Sequence, residues 1–366
     1  MTLTAAHPTW RTDPQLRSIA EATVALLGDH ATVTNVAAPG FSGRNGAWVM
    51  TLDSGRRVFV KQISLVKAGE AAFTRSLAYA TFAAEHPRFA APGPRLLAHC
   101  SRRQLLVFEY CSGSSHAQLL VDEKVPHSFS TTAGRLLARL HSGPTSGLLP
   151  TNPPSPPVAM FHGVPHHRYA ELTLAELRLW PTLQQDAELV EAVSQLRTVE
   201  DSHRTAPIHG DLRLDQFHID GDELSLLDWE EFGQGDPARD LGTLAGEWIY
   251  RAVLDTVTSR AGAGSPPDRF DTASATRRIT ERMTHLVPQI RRLWTAYRSE
   301  TATTDEGLAT RATAHLGWHL IDRTVTRASF VAQLPGIERA AAGIGRRILL
   351  HPDRYAIALG IEESVA

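Results

Sequence analysis

Cysteine is nearly absent: Cys100 and Cys111 are the whole complement of a 366-residue chain. Two thiols without CxxC spacing cannot form a disulfide framework, so a reducing, cytoplasmic setting is expected. Long apolar runs are also missing, and no stretch reaches the 18 residues expected of a membrane span. The opening MTLTAAHPTWRTDPQLRS lacks the apolar centre of a signal peptide. Neither sign of charge is in excess. A net charge of −2 gives no electrostatic reason to expect a nucleic-acid or membrane partner. The 17 histidines come without HExxH or paired Cys/His spacing, so they read as scattered surface and core residues rather than metal ligands.

What is present is enough material for a large core, with 42% hydrophobic and 21% charged residues. The length allows about two domains of roughly 150 residues. The chain is organised around Ile208 to Gly242, which carries Asp211 in a His209-Gly210-Asp211 loop and Asp228 after the apolar run Leu224, Leu226, Leu227. A loop carboxylate and a strand-end carboxylate joined by a hairpin-sized segment could meet in one cleft, as a phosphotransferase needs for its base and its magnesium ligand.

Residues 14 to 28 have the apolar spacing of an amphipathic helix closed by Gly28. Strand, glycine loop, strand, Asp-Ser-Gly turn and strand follow to about residue 62. Glycines at 40, 43 and 46, with Ser42 and Asn45 between them, would let backbone N–H groups approach a phosphate. That spacing fits neither a P-loop nor a Rossmann fingerprint, and a plain hairpin loop reads equally well. Lys61 ends an alternating strand, where an ammonium is costly unless paired. A helix over 68 to 85 offers Glu70 as its nearest partner. Two strands near 95–100 and 104–110 lead into Cys111-Ser112-Gly113, a segment suited to an interlobe hinge. Helices are expected at 130–142, 168–178, 183–203, 238–257, 275–300, 305–331 and 333–347. His141 reads as a packed core histidine. The seven prolines between 143 and 166 predict a long surface loop, and 259–274 a second loop. Asp236-Pro237 has the pattern of an N-cap followed by proline at the first helical position.

HGDLRLDQ, LLDWEEF and GDPARDLG, in that order, resemble the aminoglycoside phosphotransferase/choline kinase superfamily. Lys61, the LVFEY hinge and the LARLH helix fall in the expected order before them. The resemblance implies an α+β, bilobal protein-kinase-like fold, with a β-rich nucleotide-binding N-lobe at 1–110 and a helical, catalytic and acceptor-binding C-lobe at 111–366. It implies an ATP-dependent kinase using Mg2+, with Asp211 and Arg213 as catalytic residues. Lys61, Ser42, Asn45, Glu109 and Cys111 would bind the nucleotide, and Gln216 and Asp228 the metal. His209 would brace the loop, Gly210 would supply its backbone angle, and Asp240 would brace it from the following helix. Glu230 and Glu231 read as exposed or capping.

Three positions depart from the family pattern. Gln216 stands for the usual Asn ligand, and Arg213 for a common His. The usual helix glutamate is replaced by Arg75-Ser76-Leu77, which leaves the partner of Lys61 open. The narrower string HGDLRLDQF…DWEEF…GDPARDLG is most similar to the stand-alone kinases of class V lanthipeptide and thioamitide pathways. This implies Ser/Thr of a ribosomal precursor peptide as acceptor and a lyase as partner protein. A small-molecule acceptor (an aminoglycoside, sugar or nucleoside antibiotic) is the alternative. A nucleotide-binding pseudokinase subunit of a modifying complex is a second one.

Overall fold

The structure is a computed structural model that describes residues 10–28, 31–38, 45–64, 69–258, 272–301 and 305–362. In chain order its elements begin α1 (Pro14–Leu27), β1 (Val33–Ala37), β2 (Gly46–Leu52), β3 (Arg57–Gln62), α2 (Gly69–Glu85), β4 (Leu96–Cys100), β5 (Leu105–Glu109), β6 (Ser114–Ser115) and α3 (His116–Val121). There follow α4 (Phe129–His141), α5 (Ala159–His162), α6 (His166–Tyr169), α7 (Leu174–Gln184), α8 (Ala187–Ser202), β7 (Ala206–Ile208), β8 (Phe217–Asp220), β9 (Glu223–Leu226) and β10 (Gly233–Gly235). The chain ends with α9 (Pro237–Thr258), α10 (Thr272–Glu300), α11 (Leu308–Ala328), α12 (Gly336–Leu350) and α13 (Pro352–Leu359). A sheet-rich N-terminal part followed by a helical C-terminal part is the α+β, kinase-like architecture that the motifs imply. Packing groups the chain into two units. One is Met1–Pro126 with Leu214–Gly233; the other is His127–Arg213 with Gln234–Ala366.

In the first unit, Asp13 starts α1 by accepting from the backbone N–H groups of Gln15 and Leu16. The buried stripe Leu16, Ile19, Ala20 of α1 includes Ile19 and Ala20, which pack with Val36, Met50, Val58, Val60 and Val107 of an antiparallel sheet of order β1-β2-β3-β5-β4. Strand alternation sends Leu106 to the opposite face, where it meets Phe73 of α2. Lys61 pairs across the ladder with Leu106, so it shares that face. A second, three-stranded sheet of order β6-β8-β9 joins the hairpin after Leu214 to Ser114 and Ser115. Pairing with those two serines is why a hairpin distant in sequence belongs to this unit.

The second unit is built on α9, α10, α11 and α12 with α4, α7 and α8 around them. One of its apolar clusters joins Phe161, Trp180, Leu183, Leu189, Val193 and Trp318. Helices α11 and α12 approach closely because both present glycine: a Cβ added to Gly345 would lie 2.5 Å from the Gly317 carbonyl oxygen. Most of the proline-rich stretch 143–166 is irregular and at least partly exposed, as its composition predicts, but it is anchored at a few points. Met160 and Phe161 are buried, Thr151 is buried, and Arg204 and Arg239 donate to the carbonyls of Thr151 and Asn152. Prolines remove regular hydrogen bonding but leave the segment able to bury its apolar residues. A last helix, α13, has no counterpart in the sequence reading. Of the expected loop at 259–274, residues 259–271 lie outside the described residues and 272–274 begin α10.

Phe161 lies edge-on to Trp180 with ring centroids 5.5 Å apart. Phe161→Ala should lower stability by about 3–5 kcal/mol, read from urea unfolding followed by tryptophan fluorescence. A change within about 0.5 kcal/mol, the usual size at a surface position, would remove Phe161 as an anchor.

Candidate active site

In the first unit, the face of the sheet that carries Lys61 collects charge. Lys61 Nζ donates to Asp228 Oδ1 and, at 2.9 Å, to Glu230 Oε2. Burial disfavours the ammonium, but the two carboxylates outweigh it and its pKa is raised. The partner left open by Arg75-Ser76-Leu77 is therefore supplied from beyond β9. Arg75 donates to the carbonyl oxygen of Phe232 at 3.0 Å instead, and Ser76 bonds within its own helix. The side chain of Glu70 lies outside the described residues. Glu230 is not the exposed or capping residue expected from sequence: it is 5% exposed and accepts from Lys61 and, at 2.7 Å, from the Asn45 amide. Asn45 in turn accepts from the Ser64 backbone N–H, so one amide ties the end of the glycine loop to the ion cluster.

Asp228 has φ +70, a left-handed backbone angle rare for a residue with a side chain. Such an angle costs of order 1–3 kcal/mol and survives only where the surroundings impose it. Around it, Trp229 lies parallel to Tyr79 at a ring separation of 3.5 Å, and the Trp229 indole N–H donates to the Leu226 carbonyl. Gln216 is buried in a short 3-10 turn, and its backbone carbonyl accepts from Leu227 N at 3.0 Å. That bond brings the backbone of Gln216 beside the residue preceding Asp228. Of the expected nucleotide contacts, Ser42 lies outside the described residues. The Glu109 side chain pairs with Arg95 on the same sheet, which holds its carboxyl below the usual range. Cys111 is half-buried, its Sγ donates to the Ser112 carbonyl, and burial pushes its thiol up.

In the second unit, Asp240 is fully buried in the first turn of α9. Its two oxygens accept from the backbone N–H groups of His209 at 2.7 Å and Gly210 at 2.9 Å. His141 Nε2 lies 3.2 Å from the same carboxylate, with its Nδ1 3.1 Å from the Tyr297 hydroxyl. Burial opposes the Asp240 charge, yet His141 and the His209 bond hold its pKa below the usual range. Gly210 has φ +86, an angle that glycine adopts without a Cβ penalty. The Asp211 backbone N–H points to His209 Nδ1 at 3.4 Å. His209, Gly210 and Asp240 thus have the bracing roles that the resemblance implies. The same helix start is fixed by Asp236, which accepts from Ala238 N and pairs with Arg311 at 2.8 Å.

Asp211 and Arg213 sit side by side, with Arg213 Nε 3.9 Å from Asp211 Oδ2. Below them α9 and α11 carry a polar set that the sequence reading missed. His319 lies 2.8 Å from Glu247, and the imidazole, Arg323 and Arg213 overcome burial to hold Glu247 at a pKa of about 2. Asp322, one turn along α11, goes the other way: burial and the Asp211 charge raise it to about 6 against the pull of His319 and Arg323. The only signal available in sequence was the spacing of His319, Asp322 and Arg323 on one helix, which reads equally as a packed helix face.

The raised Asp322 carboxyl has a stability consequence of fixed sign. The folded state holds the proton more tightly than the ordinary carboxyl with its value of 3.8. Its contribution is therefore complete below that value and is lost as pH rises to about 6. Urea midpoints measured from pH 4 to 8 should fall over that window in the wild type and fall less in Asp322→Asn. Parallel curves would remove Asp322 as the titrating group.

The profile of the phosphotransferase enzyme family matches residues 36–269, which include Lys61, Asp211, Asp228 and Asp240. No curated protein sequence matches the chain. Among solved structures the chain is similar to the amicoumacin kinase hAmiN in complex with AMP-PNP, Ca2+ and Ami. The identity is 13% and the TM-score 0.54, over 94% of this chain and 96% of that one. It is also similar to the choline kinase LicA from Streptococcus pneumoniae, with 13% identity and a TM-score of 0.51, over 92% of this chain and 99% of that one. At these identities the likeness is one of fold. With well over half of its length matched, and with the His-Gly-Asp loop and the Asp-Trp-Glu strand end inside the match, the chain belongs to the phosphotransferase enzyme family and is an ATP-dependent phosphotransferase.

Proposed function

We propose that the protein transfers the γ-phosphoryl group of ATP to the hydroxyl of a serine or threonine in a ribosomal precursor peptide, ahead of elimination by a lyase partner. The observation that carries the kinase part is the ion cluster of Lys61 with Asp228 and Glu230. A half-buried ammonium on a strand, held by the carboxylate expected to bind metal, is what the α/β-phosphates of a nucleotide need. Asn45, tied to Glu230, continues that surface towards the glycine loop. Support for a peptide acceptor is the narrower motif string and its resemblance to lanthipeptide-type kinases.

Magnesium fits the donors at hand. Asp228 offers a carboxylate and Gln216 an amide oxygen, both hard ligands. Among the described residues no group of three His, Cys, Asp or Glu side chains could cage a metal. Magnesium takes one or two protein ligands and completes its shell with phosphate and water. When bound there, it would neutralise charge on the phosphates during transfer.

The chain's own residues perform the rest. Asp211 accepts the proton of the acceptor hydroxyl as its oxygen forms a bond to Pγ. The bond from Pγ to the β-bridging oxygen breaks, and ADP leaves with that electron pair. A positioned base is worth about 10²–10⁴ in rate. Arg213, beside Asp211, steadies the carboxylate and the charge of the transferred group. Asp240 keeps the loop rigid, so that Asp211 holds one geometry.

A small-molecule hydroxyl is the second reading, favoured by the family membership and by the amicoumacin and choline kinases of the same fold. The pseudokinase reading loses its main support, since Lys61 has carboxylate partners despite the missing helix glutamate. ADP release should be measured with wild type and Asp211→Asn, supplying in turn a serine-rich precursor peptide, a sugar panel and an aminoglycoside panel. Acceptor-dependent release with the peptide alone, lowered at least 100-fold in Asp211→Asn, is the expected result. Release only with sugars or aminoglycosides would replace the acceptor, and turnover unchanged in Asp211→Asn would reject the base.

A further inference from the structure

A cavity of about 300 Å3 opens among α7, α8, α11 and α12 in the helical unit, and its lining includes neither Asp211 nor Arg213. Its volume is at the lower end of ligand sites, about 300–1,000 Å3. The floor is aliphatic, with Leu179, Leu183, Ile321 and Leu334. The polar residues around it are unequal in sign. Asp186 is already spent: it caps α8 through Leu189 N and pairs with Arg346, which also reaches Glu188 at 2.7 Å. Arg178 and Arg339 are exposed, and among the described residues neither has a carboxylate within ion-pair distance. The Arg339 guanidinium donates to the backbone carbonyl of Leu334, at 2.7 Å.

Leu174, next in sequence to the lining residue Ala175, is 49% exposed. In addition, Gly343 lies in the middle of α12 on the cavity wall, where an added Cβ would meet nothing within 4 Å. Glycine inside a helix is unfavourable by about 1 kcal/mol relative to alanine, and no close neighbour requires it here.

We infer that this groove docks an acidic, leucine-bearing segment of the acceptor peptide, outside the residue that is phosphorylated. The inference rests on the peptide-acceptor reading. The aliphatic floor would take leucine-sized side chains, and Arg178 and Arg339 would pair with flanking carboxylates. Only an anionic segment completes a rim on which the one carboxylate is already neutralised. Docking here raises the local concentration of the acceptor without entering the transfer chemistry.

The test uses the full-length protein without ATP, and a fluorescein-labelled dodecapeptide of glutamate and leucine read by anisotropy. Its lysine/leucine counterpart serves as the control. Saturable binding of the acidic peptide alone is expected, weakened at least tenfold by Gly343→Leu, which fills the groove, and by Arg178→Glu with Arg339→Glu. Gly343→Leu adds a side chain into open space on a helix and removes a helix-disfavouring glycine, so its unfolding midpoint should be at or above that of wild type. Absence of saturable binding, equal binding of the lysine peptide, or affinity unchanged in both variants would overturn the inference. So would sedimentation showing a dimer that Gly343→Leu converts to a monomer, because the groove would then belong to a second copy. Binding requires no turnover, so the two readings fail separately. A groove that binds while no peptide is phosphorylated removes only the acceptor assignment. Peptide phosphorylation with a KM unaffected by both variants removes only the groove.

Discussion

A single ammonium group, taken out of water, sets the terms for the first unit. Lys61 is placed by strand alternation on the face of the sheet away from α1, and a lone charge there is unfavourable. Asp228 and Glu230 cancel that cost from 167 and 169 residues along the chain. The hairpin after Leu214 must therefore sit where its carboxylates reach β3, and the pairing of β8 with Ser114 and Ser115 puts it there. The strained Asp228 backbone, the stacked Trp229 and Tyr79, and Asn45 on Glu230 follow from that placement. Removing either carboxylate would leave a half-buried lysine half-balanced. This is a stronger constraint than any surface ion pair, which contributes about 0–1 kcal/mol.

The second unit obeys the same rule with the sign reversed. There a buried carboxylate, Asp240, is satisfied by two backbone N–H groups and an imidazole. Hydrogen bonds to a charged group hold it more firmly than neutral ones. The His-Gly-Asp loop is consequently fixed by the start of a long helix, and that start is itself fixed by Asp236 with Arg311. Asp211 inherits its position from three residues that never meet the substrate in the proposed chemistry. Beyond it, Glu247 and Asp322 show how one helix pair drives two carboxyls apart. An imidazole and two guanidinium groups depress the first. Burial with a neighbouring carboxylate raises the second.

Much of this was legible in the residues alone. Helix and strand positions followed from periodicity, and the cap at Asp236 from residue type. The bracing of the loop by His209, Gly210 and Asp240 followed from the motif. Glu230 was misjudged because two adjacent acids after a strand usually face water, and only the placement of Lys61 turns the first one inward. The irregular, largely exposed stretch 143–166 was legible from its prolines, but its anchoring by Met160 and Phe161 was not, because proline reports on backbone hydrogen bonding and says nothing of burial. The polar set on α9 and α11 was invisible because Glu247 and His319 are 72 residues apart. A helix carrying His319, Asp322 and Arg323 has the same sequence pattern whether that face is solvated or packed.

In the proposed chemistry Asp228 serves the metal while Glu230 keeps Lys61 in place. Electron paramagnetic resonance of Mn2+ with ATP, in place of Mg2+, reads the cation directly and needs no acceptor. The account predicts a protein-bound Mn2+–ATP signal in wild type that survives Asp211→Asn and is lost in Asp228→Asn. An unchanged signal in Asp228→Asn would contradict it.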